Sequence, residues 1–197
     1  MATKLNTNIF APLDLSFEDD INRIVDSLPV IDGIVLSAGM IKTMPVKNIS
    51  SKAIDEIFDV NIISNIKLLS KLLKRKKLAH SASIVLISSV STFNVKVGNS
   101  LYSSTKGAMN SFAKAMALEV AKLKIRVNCI QPGFIPSNIL NKSGIEEDSM
   151  LRWYAERHPL GFGTPTDIAN ACIYLLSDAA QWVRGSIFTI DGGYTLQ

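Results

Sequence analysis

Ser83-Ile-Val-Leu-Ile-Ser-Ser89 and, after a loop, Tyr102-Ser-Ser-Thr-Lys-Gly107 are the stretch whose reading decides the fold. Residues Ile84 to Ile87 are continuously aliphatic, the composition of a parallel strand buried on both faces. Ser88 and Ser89 then fall at its carboxyl end, where ligands bind in an open α/β sheet. From Tyr102 an apolar helical pattern runs to Lys122. Tyr102 and Lys106, four residues apart, share one face of that helix. A hydroxyl, a phenol and an ammonium converge on one crevice.

Outward from this centre, strands alternate with helices. Asn8 to Asp14, Asp32 to Leu36, Ile125 to Ile130 and Ser186 to Asp191 read as strands. Ser16 to Ser27 reads as a helix capped by Ser16, with Ile21, Ile24, Val25 and Leu28 on its inner face. A longer helix runs from a Ser50 or Ser51 cap to Leu73. Thr164-Pro-Thr-Asp167 starts a last helix with a capping box and reaches about Leu176. The alternation predicts an α/β fold with a parallel sheet, built as a single domain over residues 1–197.

The chemistry at the centre is specific. A free tyrosine, with a pKa of about 10, is a poor proton donor or acceptor at neutral pH. A neighbouring ammonium favours the phenolate, and Ser89 offers a hydrogen bond to a carbonyl or alcohol oxygen. Tyr102 is then a general acid or base, and its hydride partner has to be a cofactor.

The spacing Ser89, Tyr102, Lys106 resembles the Ser-Tyr-Lys centre of the short-chain dehydrogenase/reductases. Further matches follow in family order: Leu13-Asp14-Leu15-Ser16, Asp59-Val-Asn-Ile62, Arg126-Val-Asn128 before Pro132-Gly133, and Asp191-Gly-Gly193. The resemblance covers about Asn8 to Gly193. It implies a Rossmann-like, doubly wound sheet and an NAD- or NADP-dependent oxidoreductase moving a hydride between nicotinamide and a carbonyl or secondary alcohol. In that scheme Tyr102 transfers the proton and Lys106 tunes it and bonds the ribose. Ser89 orients the oxygen, and Asn61 holds a water of the proton relay. Asp14 reads the adenine, while Ala38 and Gly39 let the backbone approach the ribose. Pro132, Gly133 and the Ile135 backbone flank the nicotinamide, and Ser137 stands for the usual Thr near the phosphates.

The resemblance departs at two places. Leu36-Ser37-Ala38-Gly39 replaces the usual Asn-Asn-Ala-Gly, and no glycine precedes Gly33, so the glycine-rich βαβ turn that accepts pyrophosphate has no counterpart. The chain is expected to be N-terminally truncated relative to the family. A catalytically silent dimerising or regulatory relative is therefore the alternative reading. Residues 138–160 correspond to the family's substrate lid, with Met150, Trp153 and Tyr154 as candidate contacts. The loop from Val90 to Leu101, with Phe93, Val95 and Val97, favours an apolar substrate. The helix from Tyr102 to Lys122 is apolar on more than one face; by resemblance it packs on its copy in a homodimer or homotetramer.

Composition narrows the field. Of 197 residues 47% are apolar, enough for a real core, and 21 Lys and Arg exceed 17 Asp and Glu by little. Nucleic acid is not an expected partner, and Lys74-Arg-Lys-Lys77 reads as a solvated helix end. No run reaches the roughly 20 apolar residues of a membrane span. Cys129 and Cys172 sit in apolar segments without a Cys-x-x-Cys, which points to reduced thiols and the cytoplasm. His80 and His158 are isolated, so no metal site is expected. Ser103-Ser-Thr-Lys106 also fits the Ser-x-x-Lys of penicillin-binding proteins, but no Ser-Asp-Asn accompanies it.

Overall fold

The computed structural model describes residues 14–136, 152–153 and 155–196. The strand expected at Asn8 to Leu13, Ser137, Met150 and Tyr154 lie outside the described residues. Helix α1 (Glu18–Ser27) leads to strand β1 (Ile31–Leu36), then helices α2 (Ser51–Phe58) and α3 (Ser64–Lys74), joined by a π-helical turn over Asp59–Ile63. Strand β2 (Leu78–Ile87), helix α4 (Ser100–Glu119), strand β3 (Arg126–Pro132), helix α5 (Pro165–Leu176) and strand β4 (Ile187–Ile190) follow. The four strands are parallel and lie in the order β1-β2-β3-β4.

Alternation along the strands sorts the core into two halves. Ile84 and Leu86 of β2 and Val127 and Cys129 of β3 pack with Ile21 and Val25 of α1, Leu69 of α3 and Met109 of α4. Val85 and Ile130 point the other way, against Cys172 and Leu175 of α5. The aliphatic run of β2 is thus buried on both faces, with Ile84, Val85 and Leu86 fully covered. Helices on both faces of a parallel sheet make the fold a Rossmann-like α/β domain.

Several local readings change. Ser16 does not cap α1: Phe17 takes the cap position, and the Asp14 carboxylate instead accepts from the Ser16 amide and hydroxyl at 2.9 and 2.7 Å. An Asp two residues ahead of an amide closes this local turn more readily than a serine reaching forward. Helix α4 starts two residues earlier than the apolar pattern and ends at Glu119, with a short 3-10 turn over Ala121–Leu123. Its inner face carries Leu101, Thr105, Lys106, Met109, Ala113, Met116 and Ala117. Its outer face exposes the small residues Ala108, Ser111 and Ala115, with Leu118 78% exposed. By contrast, Thr164 and Asp167 form the expected capping box and Ser50 caps α2.

Two sequence features have structural work. The basic end of α3 clamps α1: Lys71 reaches Glu18 at 2.8 Å, Arg75 pairs with Asp26, and Lys77 donates to the Leu28 carbonyl. The Arg126 guanidinium donates to the Leu175 carbonyl in the last turn of α5 and to the carbonyls of Ser177 and Ala180 just beyond it, where the helix ends in open acceptors. Asn128 holds the Ser186 amide and Val183 carbonyl. Together they dock the last helix and strand onto β3.

Candidate active site

The carboxyl ends of β1, β2 and β3 open onto one cavity of about 390 Å³. From β1 come Ser37 and Gly39; from β2, Ser88 and Ser89; from β3, Pro132, Gly133 and Ile135. Tyr102 and Lys106 of α4 complete the wall. Seven of the residues singled out from sequence therefore meet in one place: Gly39, Ser89, Tyr102, Lys106, Pro132, Gly133 and Ile135. Ala38 lies exposed beside them and Asp14 lies outside the lining, its carboxylate engaged by Ser16. Asn61 sits behind the wall, fully buried.

The centre is held by backbone as much as by side chains. Ser89 sits at a short 3-10 turn over Val90–Thr92, and its hydroxyl accepts from the Ser91 amide and hydroxyl at 3.1 and 2.9 Å. That leaves the Ser89 proton uncommitted to Ser91 and on the side of the Tyr102 phenol, whose pKa Ser89 lowers. Gln131 at the end of β3 donates to the Ser89 carbonyl, fixing β2 to β3 at this level. Ser88 donates to the Lys106 carbonyl at 3.2 Å and so ties the first turns of α4 to the strand end.

Lys106 is buried, and its ammonium donates to the Ile87 carbonyl at 2.7 Å while standing 5.8 Å from the centre of the Tyr102 ring. Burial pulls its pKa down to about 8. Burial pushes the Tyr102 phenol above its ordinary value, opposed by the nearby Ser89 hydroxyl. This differs from the expected lowering of Tyr102 by Lys106: desolvation governs both groups, and the ammonium is turned toward Ile87. Tyr102 is consequently protonated at neutral pH, the form that gives a proton to a carbonyl oxygen.

A buried ammonium is a burden on the fold. Lys106 binds a proton less tightly in the folded chain than unfolded, so the unfolded state holds more protons between about pH 8 and 10.5, and stability rises with pH across that window. Lys106→Met is accordingly expected to stabilise the chain at pH 7 by about 1–2 kcal/mol, after allowing for the lost bond to Ile87. The gain should shrink toward pH 10. Urea unfolding of both proteins at pH 7 and 10 checks this, and a destabilised variant at pH 7 would contradict it.

Asn61 occupies the π-helical turn, a form that aims one helical residue out of register with its neighbours. Its Oδ1 accepts from the Met40 amide at 2.7 Å, and its Nδ2 donates to the Met40 carbonyl at 2.9 Å and the Thr105 hydroxyl at 3.0 Å. Both amide donors are spent, so this side chain binds the loop after β1 to α4. Gly39 closes the arrangement: a Cβ there would stand 3.4 Å from both Asn61 Oδ1 and Lys106 Nζ. Gly133 is under similar constraint, since a Cβ would lie 2.8 Å from the Asp191 backbone.

Sequence reading missed three contributors. The expected apolar wall is inverted: Phe93, Val95 and Val97 are exposed, while Asn94, Lys96 and Asn99 of the same loop line the cavity. His158 stacks on Tyr194, ring centres 4.6 Å apart and nearly parallel, and Tyr194 lines the cavity. Ser91, which orients Ser89, was legible as a serine two residues after another. Among the described residues no cluster of His, Cys, Asp or Glu fits a metal ion.

A crevice at the ends of parallel strands, with glycines at its closest approaches and a phenol–ammonium pair at its centre, stands where open α/β sheets bind their ligands. The family model described as "Enoyl-(Acyl carrier protein) reductase" matches residues 1–195. The chain is 34% identical over 164 residues to an uncharacterised oxidoreductase of Methylorubrum extorquens, covering 83% of this chain and 65% of that one. It is 30% identical over 201 residues to carbonyl reductase family member 4 of Xenopus tropicalis, covering 100% and 82%. A solved 4-hydroxyisoleucine dehydrogenase mutant, complexed with NADH and succinate, superposes with a TM-score of 0.85 at 30% identity, covering 95% and 79%. The chain belongs to the short-chain dehydrogenase/reductases, a family of NAD(P)-dependent oxidoreductase enzymes.

Proposed function

We propose that this chain catalyses hydride transfer between NAD(H) or NADP(H) and a small carbonyl compound or secondary alcohol, with Tyr102 as the general acid and base. The observation that carries the reading is the convergence of Ser89, Tyr102 and Lys106 on one cavity at the ends of β1, β2 and β3. The cofactor supplies the hydride; the side chains supply position and the proton. Ser89 donates a hydrogen bond to the substrate oxygen, and Tyr102 gives that oxygen its proton on reduction or takes it on oxidation. Lys106 offers its remaining donors to a ribose hydroxyl and places a positive charge beside the phenolate as it forms. Asn61 supports the centre by holding Met40 and Thr105. Ala38, Gly39, Pro132, Gly133 and Ile135 frame the nicotinamide side, with Ser137 and Asp14 assigned to the phosphate and adenine ends.

A solved protein similar to this chain, the 4-hydroxyisoleucine dehydrogenase mutant, is complexed with NADH and succinate, which supports a nicotinamide cofactor and a small substrate here. A panel of ketones with NADH or NADPH, followed at 340 nm, is expected to show consumption of one of the two cofactors. No turnover with either, by a folded chain, would favour the catalytically silent dimerising reading.

The exposed small-residue face of α4 supports a homodimer or homotetramer, since helices approach closely where side chains are small. Sedimentation is expected to give a dimeric or tetrameric mass, and a monomer at micromolar concentration would contradict it. Cys129 and Cys172 are buried and unbridged, and burial pushes the Cys129 thiol up to about 12, which supports a reducing cytoplasmic setting. No helix among the described residues is long and apolar enough to cross a membrane.

A further inference from the structure

Ser91 lines the cavity, is only 7% exposed, and sends both of its donors to the same atom. Its amide reaches Ser89 Oγ at 3.1 Å and its hydroxyl reaches it at 2.9 Å. The first bond is the local turn that a serine closes with the amide two residues on, and it needs only backbone at position 91. The second needs a hydroxyl there, which the turn by itself does not require.

The segment is fixed from its other side as well. The Ser89 carbonyl accepts from Gln131 Nε2 at 3.2 Å and from the Thr92 hydroxyl at 3.1 Å, and Gln131 also donates to Thr92 Oγ1. Ser88, one residue back, is tied to the Lys106 carbonyl. The backbone of Ser89 is therefore held without the Ser91 hydroxyl, and the extra bond matters for what it does to Ser89 Oγ.

A serine hydroxyl has two acceptor lone pairs and one donor. With the amide and the hydroxyl of Ser91 on it, Ser89 Oγ has both lone pairs occupied, and only its proton is left to give. The Tyr102 phenol stands beside this hydroxyl. Two neighbouring hydroxyls can pair in two directions, and only donation from Ser89 leaves the phenol proton aimed at a substrate oxygen. Were a lone pair of Ser89 open, the neutral phenol would donate to it in the resting site and would have to turn before each transfer.

We propose that Ser91 is a positioning residue for the reaction: by filling the second lone pair of Ser89 Oγ it makes Ser89 a donor only and keeps the Tyr102 proton directed at the substrate oxygen. The inference rests on the oxidoreductase reading above and deepens it. A hydroxyl whose oxygen accepts hydrogen bonds is polarised and donates more strongly, so the same contact strengthens what Ser89 gives to the substrate oxygen or the phenolate. No covalent bond changes at Ser91; the proton moves between Tyr102 and the substrate oxygen.

Ser91→Ala removes the hydroxyl and leaves the amide, so the turn survives. It is expected to lower kcat by about 3- to 10-fold, the value of one hydrogen bond, with KM for a ketone moved by less than about 2-fold. Ser91→Thr, which restores a hydroxyl on the same Cβ, should recover most of the loss. In a Ser89→Ala background the Ser91→Ala change should cost less than about 2-fold, because no Oγ remains to be filled, whereas a merely structural serine would cost as much again. Titration of Tyr102 gives a readout that needs no turnover, by fluorine NMR of protein carrying fluorotyrosine, with the Tyr102 resonance assigned by its loss in Tyr102→Phe. Ser91→Ala is expected to raise the midpoint by about 0.5–1 pH unit, since it weakens the donor to the phenolate and gives the neutral phenol an acceptor. A parental kcat or an unmoved midpoint in Ser91→Ala, a loss that Ser91→Thr does not recover, or one that persists in Ser89→Ala would overturn the inference. The expected midpoint shift in a folded chain that turns over no carbonyl compound would sustain it and sink the oxidoreductase reading; parental turnover by Ser91→Ala would do the reverse.

Discussion

Replacing Tyr102 by Phe is expected to lower kcat by about 10²- to 10⁴-fold, the range of a lost general acid or base, with the fold intact. The substitution removes one oxygen and leaves the ring. Ser89 is held by the Ser91 amide and hydroxyl, not by the phenol, so the catalytic wall keeps its shape. Circular dichroism and the urea midpoint should therefore stay close to the parent, with stability shifted by no more than about 1 kcal/mol. KM for the carbonyl substrate should change far less than kcat, because the lost group acts on the proton that moves rather than on ground-state binding. A variant retaining a tenth or more of the parent kcat would assign the proton transfer elsewhere.

Asn61→Ala should do the opposite: a large loss of stability first, with activity following the fraction folded. Asn61 is fully buried and makes three hydrogen bonds, to both backbone groups of Met40 and to Thr105. Truncation leaves the Met40 amide and carbonyl to find other partners, while the Thr105 hydroxyl keeps its bond to the Tyr102 carbonyl. Each unsatisfied buried group costs about 1–3 kcal/mol, so a loss of about 3 kcal/mol or more is expected from urea unfolding. Because Gly39 approaches Asn61 and Lys106 together, the collapse would reach the catalytic lysine. A variant of parental stability but slow turnover would instead point to a direct part in proton relay.

What was legible in the sequence, and what was not, divides along physical lines. Strand β2 was legible because four consecutive aliphatic residues, β-branched at Ile84, Val85 and Ile87 and followed by two serines, fit a short strand covered on both sides. The Tyr102–Lys106 pair was legible because helical periodicity alone brings residues four apart together. The capping box at Thr164 was likewise a local matter of side chain and amide. The π turn was hidden, since inserting one residue into the hydrogen-bonding pattern barely disturbs the apolar spacing around Ile57 and Ile62. The inversion of the loop at Phe93, Val95 and Val97 was hidden for a different reason: reading from composition assumes that apolar side chains face inward, and the bonds of Gly98 to Met44 and of Asn99 to Thr43 override that here. The stack of His158 on Tyr194 joins residues far apart in the chain, with no local signal for either. The direction of the Lys106 ammonium, toward Ile87, depends on a carbonyl at the end of a strand that sequence spacing does not locate.

The most direct test of the site's function is isotopic. The 197-residue chain would be incubated with NADH or NADPH deuterated at the transferable position and a ketone, and the alcohol analysed by mass spectrometry. One deuterium on the former carbonyl carbon, absent when Tyr102→Phe replaces the parent, is the predicted result. Product without deuterium, or equal labelling by the Tyr102→Phe variant, would contradict hydride transfer at the Ser89, Tyr102 and Lys106 centre.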